Sequence, residues 1–368
     1  MTITGYIVVA FFAVRFLVAM ANLLFSPVLK KQRPKEDPLV SVLIPARNEE
    51  KKIAGLLSDL RDQSYQNIEV IVYNDQSEDR TREVAGVFSK TDQRFRLMDA
   101  PGLPRVWMGK NYACDQLAGQ ASGDFFLFLD ADVRIRSGII ESSLAQMEKH
   151  QLKLLSIFPR QIMKSLSEKI TVPVMNSILL SLLPLILTRR SSRPSLAAAN
   201  GQFMLFESAS YLSLRPHEKA KSQPVEDIFI ARLYKRKGLK MQCMTGNDTI
   251  RCRMYQGLRD SLNGFSKNVD GFFGGSYLLA FFYWLAGTFG IFAVAFFLPL
   301  FYLFLTGGFI IALTIAFSVA SRQPVLQNLI LSPPRQLLLG AIVILAYYYK
   351  KAKKIQWKGR SVVPFFCF

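Results

Sequence analysis

The hydrophobic and polar positions fall into three textures along the chain. Residues 3–25 are an almost unbroken apolar run, long enough at about 1.5 Å per residue to cross a bilayer as one helix. From residue 36 to about 255, short apolar runs alternate with segments of helical period. Residues 40–44 predict a strand, and Ile53, Leu56, Leu57 and Leu60 keep the i, i+3, i+4, i+7 spacing of one helix face. Residues 68–73 predict a second strand, Val84, Val87 and Phe88 mark a second helix, and a short strand is expected at 95–98. A loop through Trp107, Gly109 and Lys110 then leads into another helix. Residues 125–129 follow, five apolar residues in a row, as expected of a strand buried on both faces. Repeated strand–helix units predict an α/β domain with a mostly parallel sheet and helices on both faces. Ligands of such sheets bind outside the carboxyl ends of the strands.

The third texture is apolar again. Residues 277 to about 320 are long enough for two spans, whereas 337–349 is short for one and follows Pro333, Pro334 and Arg335. Residues 171–188 are apolar but hold Pro173, Asn176 and Pro184, which suits an interfacial helix or a cover over an acceptor site better than a span. Leu258, Leu262, Phe265, Val269 and Phe272 share one helical face, with Arg259, Asp260 and Lys267 elsewhere. That pattern fits a helix lying in the membrane surface and equally an amphipathic helix facing a core; its place just before a span favours the first. The expected layout is an N-terminal anchor (1–29), an α/β domain (36–255) carrying the apolar insertion 171–188, and an interfacial helix (256–273). Transmembrane segments (276–349) and a basic cytoplasmic tail (350–368) complete it. No internal repeat or low-complexity segment interrupts the chain.

Composition and charge add an orientation. The 368 residues are 50% hydrophobic with mean hydropathy +0.20, too apolar for an ordinary soluble enzyme and too charged for a pure bundle of spans. Much of the net charge of +19 lies beside the apolar runs, at Lys30, Lys31, Arg33 and Lys35 and again at Lys350, Lys351, Lys353 and Lys354. Basic residues flanking a span mark its cytoplasmic side, so the α/β domain is expected in the cytoplasm of a multi-pass protein of the cell membrane. Three spans after that domain would leave the last lysines outside: either the final segment is re-entrant or the charge rule fails there. The first run starts uncharged, which reads as an anchor and not as a cleaved signal. Arg15 within it faces other helices or snorkels to the interface. No nucleic-acid-binding signature is present, so no nucleic-acid partner is expected. Cys114, Cys243, Cys252 and Cys367 lack the spacing of a disulfide frame or metal site, and two histidines, His150 and His217, exclude a histidine-rich metal centre.

Candidate chemistry gathers where the predicted strands emerge. Asp130 and Asp132 follow the 125–129 strand, and side chains two apart on an extended chain face the same way. Hard oxygen ligands there suit Mg²⁺ or Mn²⁺ holding a phosphate, although a lone Asp-x-Asp is equally a solvated strand-end turn. Pro45, Arg47, Asn48 and Glu49 follow the first strand; Asp75, Ser77, Asp79 and Thr81 follow the second; Gly109 and Lys110 open a helix. Each has a plain alternative, an N-cap for the Asp75–Thr81 stretch and a turn at Gly109. Four such elements, in order, at one edge of one sheet, point to a nucleotide: Asp accepts from uracil or ribose, and Lys offsets phosphate charge. Glu226 and Asp227 open a later helix, where the macrodipole alone favours acids.

The residues 44–49, the Asp75-x-Ser77-x-Asp79-x-Thr81 pattern, Gly123-Asp124 and Asp130-Ala131-Asp132 resemble the family 2 inverting glycosyltransferases of GT-A, Rossmann-like fold. The resemblance implies a UDP-sugar donor, a divalent cation, and roles for particular residues. Pro45, Arg47, Asn48, Glu49, Asp75, Ser77, Asp79, Lys110, Asp130, Arg253 and Tyr255 would hold the donor. Asp132, with Asp130, would hold the metal. Asp227, with Glu226 second, would be the general base. Arg253-Met254-Tyr255 stands near the place of the Gln-x-x-Arg-Trp of processive members, which is not intact. Trp107-x-Gly109-Lys110-x-x-Ala113-Cys114, Arg253 to Gly257 and Trp357-Lys358-Gly359-Arg360 are similar to the bacterial carotenoid-acid glucosyltransferases. Hopanoid-associated relatives share part of that pattern. The implied activity is a membrane-bound hexosyltransferase moving glucose to a lipid, best a carotenoid carboxylic acid. Alternatives are a hopanoid or other glycolipid acceptor, a polysaccharide synthase, or a non-catalytic membrane scaffold. One departure concerns the acceptor side: Ser213 to His217 stand where a Gly-Gly pair often precedes the acidic pair.

Overall fold

The computed structural model describes residues 1–25 and 28–351 and the backbone of 356–357 and 360–361. Helix α1 (Thr2–Phe25) opens the chain, followed by β1 (Val40–Ala46), α2 (Ile53–Arg61), β2 (Ile68–Asn74), α3 (Thr81–Thr91), β3 (Phe95–Asp99), α4 (Gly109–Gly119) and β4 (Phe125–Leu129). Then come β5 (Val133–Ile135), α5 (Ile139–His150), β6 (Leu154–Phe158), β7 (Arg160–Gln161), α6 (Leu166–Thr171), α7 (Pro173–Leu182) and α8 (Ile186–Arg190). The second half holds β8 (Phe203–Glu207), α9 (Ser208–Leu214), α10 (Pro216–Lys219), α11 (Glu226–Arg236), β9 (Met241–Thr245), β10 (Ile250–Cys252) and α12 (Leu258–Asn268). Helices α13 (Tyr277–Phe297), α14 (Leu300–Ala320), α15 (Val325–Ile330) and α16 (Ser332–Lys351) and the short strands β11 (Gln356–Trp357) and β12 (Arg360–Ser361) end it. The tail expected at 350–368 lies, from residue 352 on, outside the described residues but for the backbone of β11 and β12, and with it Lys353, Lys354, Cys367 and the side chains of the Trp-Lys-Gly-Arg segment.

The chain divides into two units. Among the described residues the α/β unit comprises 28–160, 187–253 and the backbone of 356–357 and 360–361. Its seven-stranded sheet has the order β3-β2-β1-β4-β8-β6-β9, parallel throughout except for β8, which runs against both β4 and β6. Strand β1 sits centrally, with Val40, Val42, Leu43 and Ile44 fully buried, because β2 and β4 flank it and helices cover it. Successive units build outward from β1 to β2 and β3, then cross back to β4. The switch point between β1 and β4 therefore opens a crevice at their carboxyl ends. Phe126, Phe128, Phe206, Leu117 of α4 and Ile230 of α11 form the core beneath that crevice.

The apolar unit comprises Met1–Ser26, Gln161–Ile186 and Met254–Ile355. Its first helix, apolar all round, nonetheless has one buried stripe: Gly5, Val8, Phe12, Arg15, Ala19 and Asn22. Alternating steps of three and four are the spacing of helices packed side by side. Arg15 donates from Nε to Ser181 Oγ at 3.3 Å and stacks over Tyr283 at 4.6 Å, so it faces other helices and does not snorkel. Asn22 donates to the carbonyls of Leu180 (2.9 Å) and Leu183 (2.8 Å) and accepts from Leu185 N–H. It thereby satisfies the open carbonyl end of α7. The stretch expected as an insertion of the α/β domain, 171–188, is divided accordingly. Helix α7, ten residues and too short to span, belongs to the apolar unit, and the chain returns to the α/β unit at Leu187.

Among the described residues three helices are long and apolar enough to cross a membrane: α1, α13 and α14. Helix α16 is not among them, so two candidate spans follow the α/β unit, not three. Of the face expected to lie in the membrane surface, Phe265 and Val269 are buried against Val172, Ile178, Leu339 and Val343, and Leu258 alone is exposed. The periodicity of α12 reports that one face is covered, not what covers it; here it is largely the unit's own helices.

Candidate active site

The crevice of the α/β unit is built from strand ends and helix starts. Leaving β1, Arg47 is buried, and its guanidinium donates to the carbonyls of Asp75 (2.8 Å) and Gln76 (2.7 Å) and to Glu78 (3.1 Å). Asn48 takes a left-handed conformation (φ 52°), which an Asn tolerates better than most residues. Its N–H donates to Ser77 Oγ, and its Oδ1 accepts from Glu78 N–H. Glu49 N–H donates to Thr81 Oγ1 and Glu50 N–H to Asp79. Burial pushes Asp79 up, but the Thr81 and Glu50 bonds outweigh it and hold the carboxyl below its ordinary range. Arg47, Asn48, Ser77 and Asp79, all expected donor contacts, are thus engaged in stitching the β1 loop to the β2 loop. Parallel register puts Ala46 beside Asn74, which sets Pro45 at the end of β1 and Asp75 just past β2 at this same edge.

At the end of β4 the charges converge. Lys110, from the first turn of α4, places Nζ 2.7 Å from Asp130, 3.1 Å from Glu226 and 3.4 Å from the Gly201 carbonyl. Lys52, just ahead of α2, lies 3.3 Å from Asp132 Oδ2. The other oxygen of Asp132, Oδ1, is buried with no hydrogen-bond partner. Burial raises both aspartates above the usual carboxylate range: Lys110 opposes this at Asp130 and Lys52 at Asp132, while each also feels a further carboxylate, Asp132 and Glu49 respectively. Burial alone would lower Lys110, but Asp130 and Glu226 hold it well above its ordinary value, so it stays cationic.

Asp227, beside Glu226 at the start of α11, accepts from Gly201 N–H (3.0 Å) and Ile228 N–H (2.7 Å). Burial first, then the Glu226 charge, pushes it up to about 7. That is where a group exchanges a proton readily at physiological pH. Gly201 lets the two charged side-chain ends come close to the backbone at this corner. A Cβ there would stand 2.8 Å from Lys110 Nζ and 3.0 Å from Glu226. Arg253, the last residue of the unit's second segment, follows β10, and Tyr255 lies in the apolar unit, edge-on to Phe265 at 4.8 Å.

Glu226, Asp227, Asp130, Asp132 and Lys110 are therefore brought close together at one sheet edge. Lys52 and Gly201 were not expected. Lys52 reads as a solvated residue near a helix start, and only its pairing with a residue eighty positions away gives it a role. Gly201 carried a signal, a glycine just before a run of buried strand residues. Gly123-Asp124 turns out to be scaffolding: Gly123 N–H donates to Ser41 Oγ (2.8 Å) and Asp124 accepts from Leu39 N–H (3.1 Å). Among the described residues no group of three or more His, Cys, Asp or Glu side chains is spaced to enclose a metal ion.

Residues 41–209 match the family model described as glycosyl transferase family 2. A 4,4'-diaponeurosporenoate glycosyltransferase of Staphylococcus haemolyticus is 27% identical over 249 residues, 65% of this chain and 63% of that protein. One of Staphylococcus aureus is 29% identical over 255 residues, 68% of this chain and 66% of its own length. The chain thus spans a little under two thirds of the length of these relatives. In three dimensions it is similar to a mannosyltransferase of Pyrobaculum calidifontis solved with GDP-Man and Mn²⁺, with TM-score 0.55 and 15% identity over 94% of this chain and 99% of that one. That likeness is one of fold, the GT-A arrangement of a mostly parallel sheet with its helices.

Proposed function

From the match of residues 41–209 to the family model described as glycosyl transferase family 2, we propose that this protein is a membrane-bound inverting hexosyltransferase. It moves glucose from a UDP-sugar to a lipid, best a carotenoid carboxylic acid, giving a glycosyl ester. One observation carries the reading: a single half-buried lysine, Lys110, joins the strand-end acid Asp130 to the helix-start acid Glu226. Donor-side and acceptor-side groups thereby share one crevice.

The residues fit a divalent cation. Asp132 Oδ1 is a buried, unpartnered oxygen, and the absence of a closed protein cage among the described residues suits Mg²⁺ or Mn²⁺, which keep water and phosphate ligands. Asp132 would hold the ion with help from Asp130, and the ion would supply positive charge against the departing diphosphate. Lys110 adds a second charge on that side. Asp75, Arg47 and their laced loops shape the nucleotide end of the crevice. Asp227, oriented by two backbone N–H groups, faces the acceptor: it takes the proton of an alcohol and only positions a carboxylic acid, which is already ionised near neutral pH.

Three features support a lipid acceptor and a membrane setting: the three apolar helices, the basic residues after α1, and the names of the relatives. With α1, α13 and α14 as the spans, the α/β unit and Lys350 both fall on the cytoplasmic side. The conflict raised by a third C-terminal span disappears. The test is transfer from UDP-[¹⁴C]glucose with Mn²⁺ to extracted lipids, wild type against Asp132→Ala, with the product checked for a base-labile sugar ester. The expected result is an ester from the wild type and a loss of at least about a hundredfold in the variant. An undiminished Asp132→Ala enzyme would remove the metal reading. A base-stable product would replace the carboxylic acid with an alcohol acceptor.

A further inference from the structure

We infer that Lys52 is a tethered counter-cation that occupies Asp132 until the nucleotide arrives, so that a divalent metal enters with the donor and not ahead of it. The inference rests on the reading of Asp132 as a metal ligand. The Lys52 side chain is 28% exposed and that of Asp132 14%, so the pair at 3.3 Å is shielded from solvent far more than a surface ion pair. Lys52 is also held in the field of Glu49 and lies beside Cys252, whose Sγ accepts from Gln202 Nε2 at 2.9 Å. Its position is fixed by α2, whose Ile53, Leu56, Leu57 and Leu60 are fully buried directly after it. The backbone of Lys52 is therefore anchored beside Asp132, and only its flexible side chain has to move for the ammonium to change partner.

A cation approaching the free Oδ1 of Asp132 meets a like charge already seated on Oδ2 of the same carboxylate. In a partly desolvated crevice that repulsion weighs more than it does in water. A nucleotide diphosphate reverses the balance. Its oxygens offer Lys52 an alternative partner and bring the cation the remaining ligands it lacks among the protein side chains. Binding of nucleotide and metal then becomes positively coupled, each tightening the other by the same factor. Lys110 plays a different part, since it bridges Asp130 and Glu226 and leaves Asp132 alone.

The experiment titrates Mn²⁺ into the full-length chain in detergent and reads free Mn²⁺ by electron paramagnetic resonance, with and without saturating UDP. Without UDP, Lys52→Met and Lys52→Gln are expected to bind Mn²⁺ about tenfold more tightly than the wild type, the size of one partly shielded charge contact. Lys52→Arg, which keeps the charge, should retain the weak wild-type affinity. With UDP the differences close, so the UDP-induced tightening is smaller in the neutral variants. The inference is overturned if both neutral variants bind Mn²⁺ no more tightly than the wild type without UDP. Asp132→Ala separates the two levels. If it still binds Mn²⁺ in the presence of UDP, beyond what UDP alone takes up in a protein-free blank, the metal assignment itself fails, whatever Lys52 does.

Discussion

Asp227 is the residue whose environment makes the sharpest statement. Burial and the Glu226 charge bring it to about 7, against 3.8 for an ordinary aspartate. An alcohol acceptor needs the ionised form. For such an acceptor kcat/KM should fall about tenfold per pH unit below 7, and Asp227→Asn should cost about a thousandfold. A carboxylic-acid acceptor brings its own charge, so that limb should be absent and the same variant should lose less than about tenfold. Complete loss of turnover on a carboxylate acceptor would contradict this assignment. The neighbouring histidine illustrates the opposite sign. His217, buried beside Tyr211 at 2.6 Å, is lowered to about 3 by desolvation. The unfolded chain binds that proton and the folded one does not, so its contribution to stability is full above about pH 6.5 and is lost as pH falls toward 3. Thermal unfolding of wild type and His217→Gln across pH 4–7 should converge at the acid end. A constant difference would mean that the imidazole is not buried neutral.

At the scale of elements, the join between β1 and β4 decides whether Asp130 reaches the crevice. Gly123 sits where a Cβ would lie 2.7 Å from the Leu39 carbonyl and 2.7 Å from Ser41 N. Backbone on both sides cannot move aside without parting the two strands. Gly123→Ala should therefore destabilise the α/β unit by about 2 kcal/mol or more. The measurement is the denaturant midpoint, and an unchanged midpoint would show that the strands can separate cheaply. The apolar unit makes a related point. Arg15 and Asn22 look like liabilities in a helix meant for lipid. Both lie on its buried stripe, where Asn22 closes the end of α7 and Arg15 holds Ser181. In a medium without water, polar side chains mark the packed face more clearly than apolar ones do.

For the whole molecule, the proposed cytoplasmic place of the α/β unit and the three candidate spans together predict a topology. Helices α13 and α14 are separated by Leu298 and Pro299, and α14 is followed by the turn at Ser321 and Arg322. If α1, α13 and α14 cross, Pro299 lies outside and Arg322 inside. A cysteine at 299 in a chain lacking its own cysteines should react with a membrane-impermeant maleimide in intact cells, and one at 322 only after permeabilisation. The reverse labelling would invert the protein, and labelling of both would mean that α13 and α14 do not form a spanning hairpin.

Much of this was legible before any coordinates. Local patterns give local structure. Ile53, Leu56, Leu57 and Leu60 announced α2, and the apolar run at 125–129 announced β4, because the periods of helix and strand are written in consecutive residues. The strand-end acids were legible for the same reason, as was the acidic start of α11. What spacing along the chain does not encode is which distant residues meet. The Lys52–Asp132 pair, the corner made by Gly201 against Lys110 and Glu226, the reversal of β8 and the transfer of α7 to the apolar unit depend on contacts between residues far apart in sequence. Periodicity likewise said that one face of α12 is covered but not by what. The sequence by itself determined the kinds of element, the presence of apolar helices long enough to span and the set of acids available for chemistry. Only the tertiary structure decided which of those acids share a crevice and which cations sit on them, since electrostatic partnership is a matter of distance and burial and neither is a property of the chain read in one dimension.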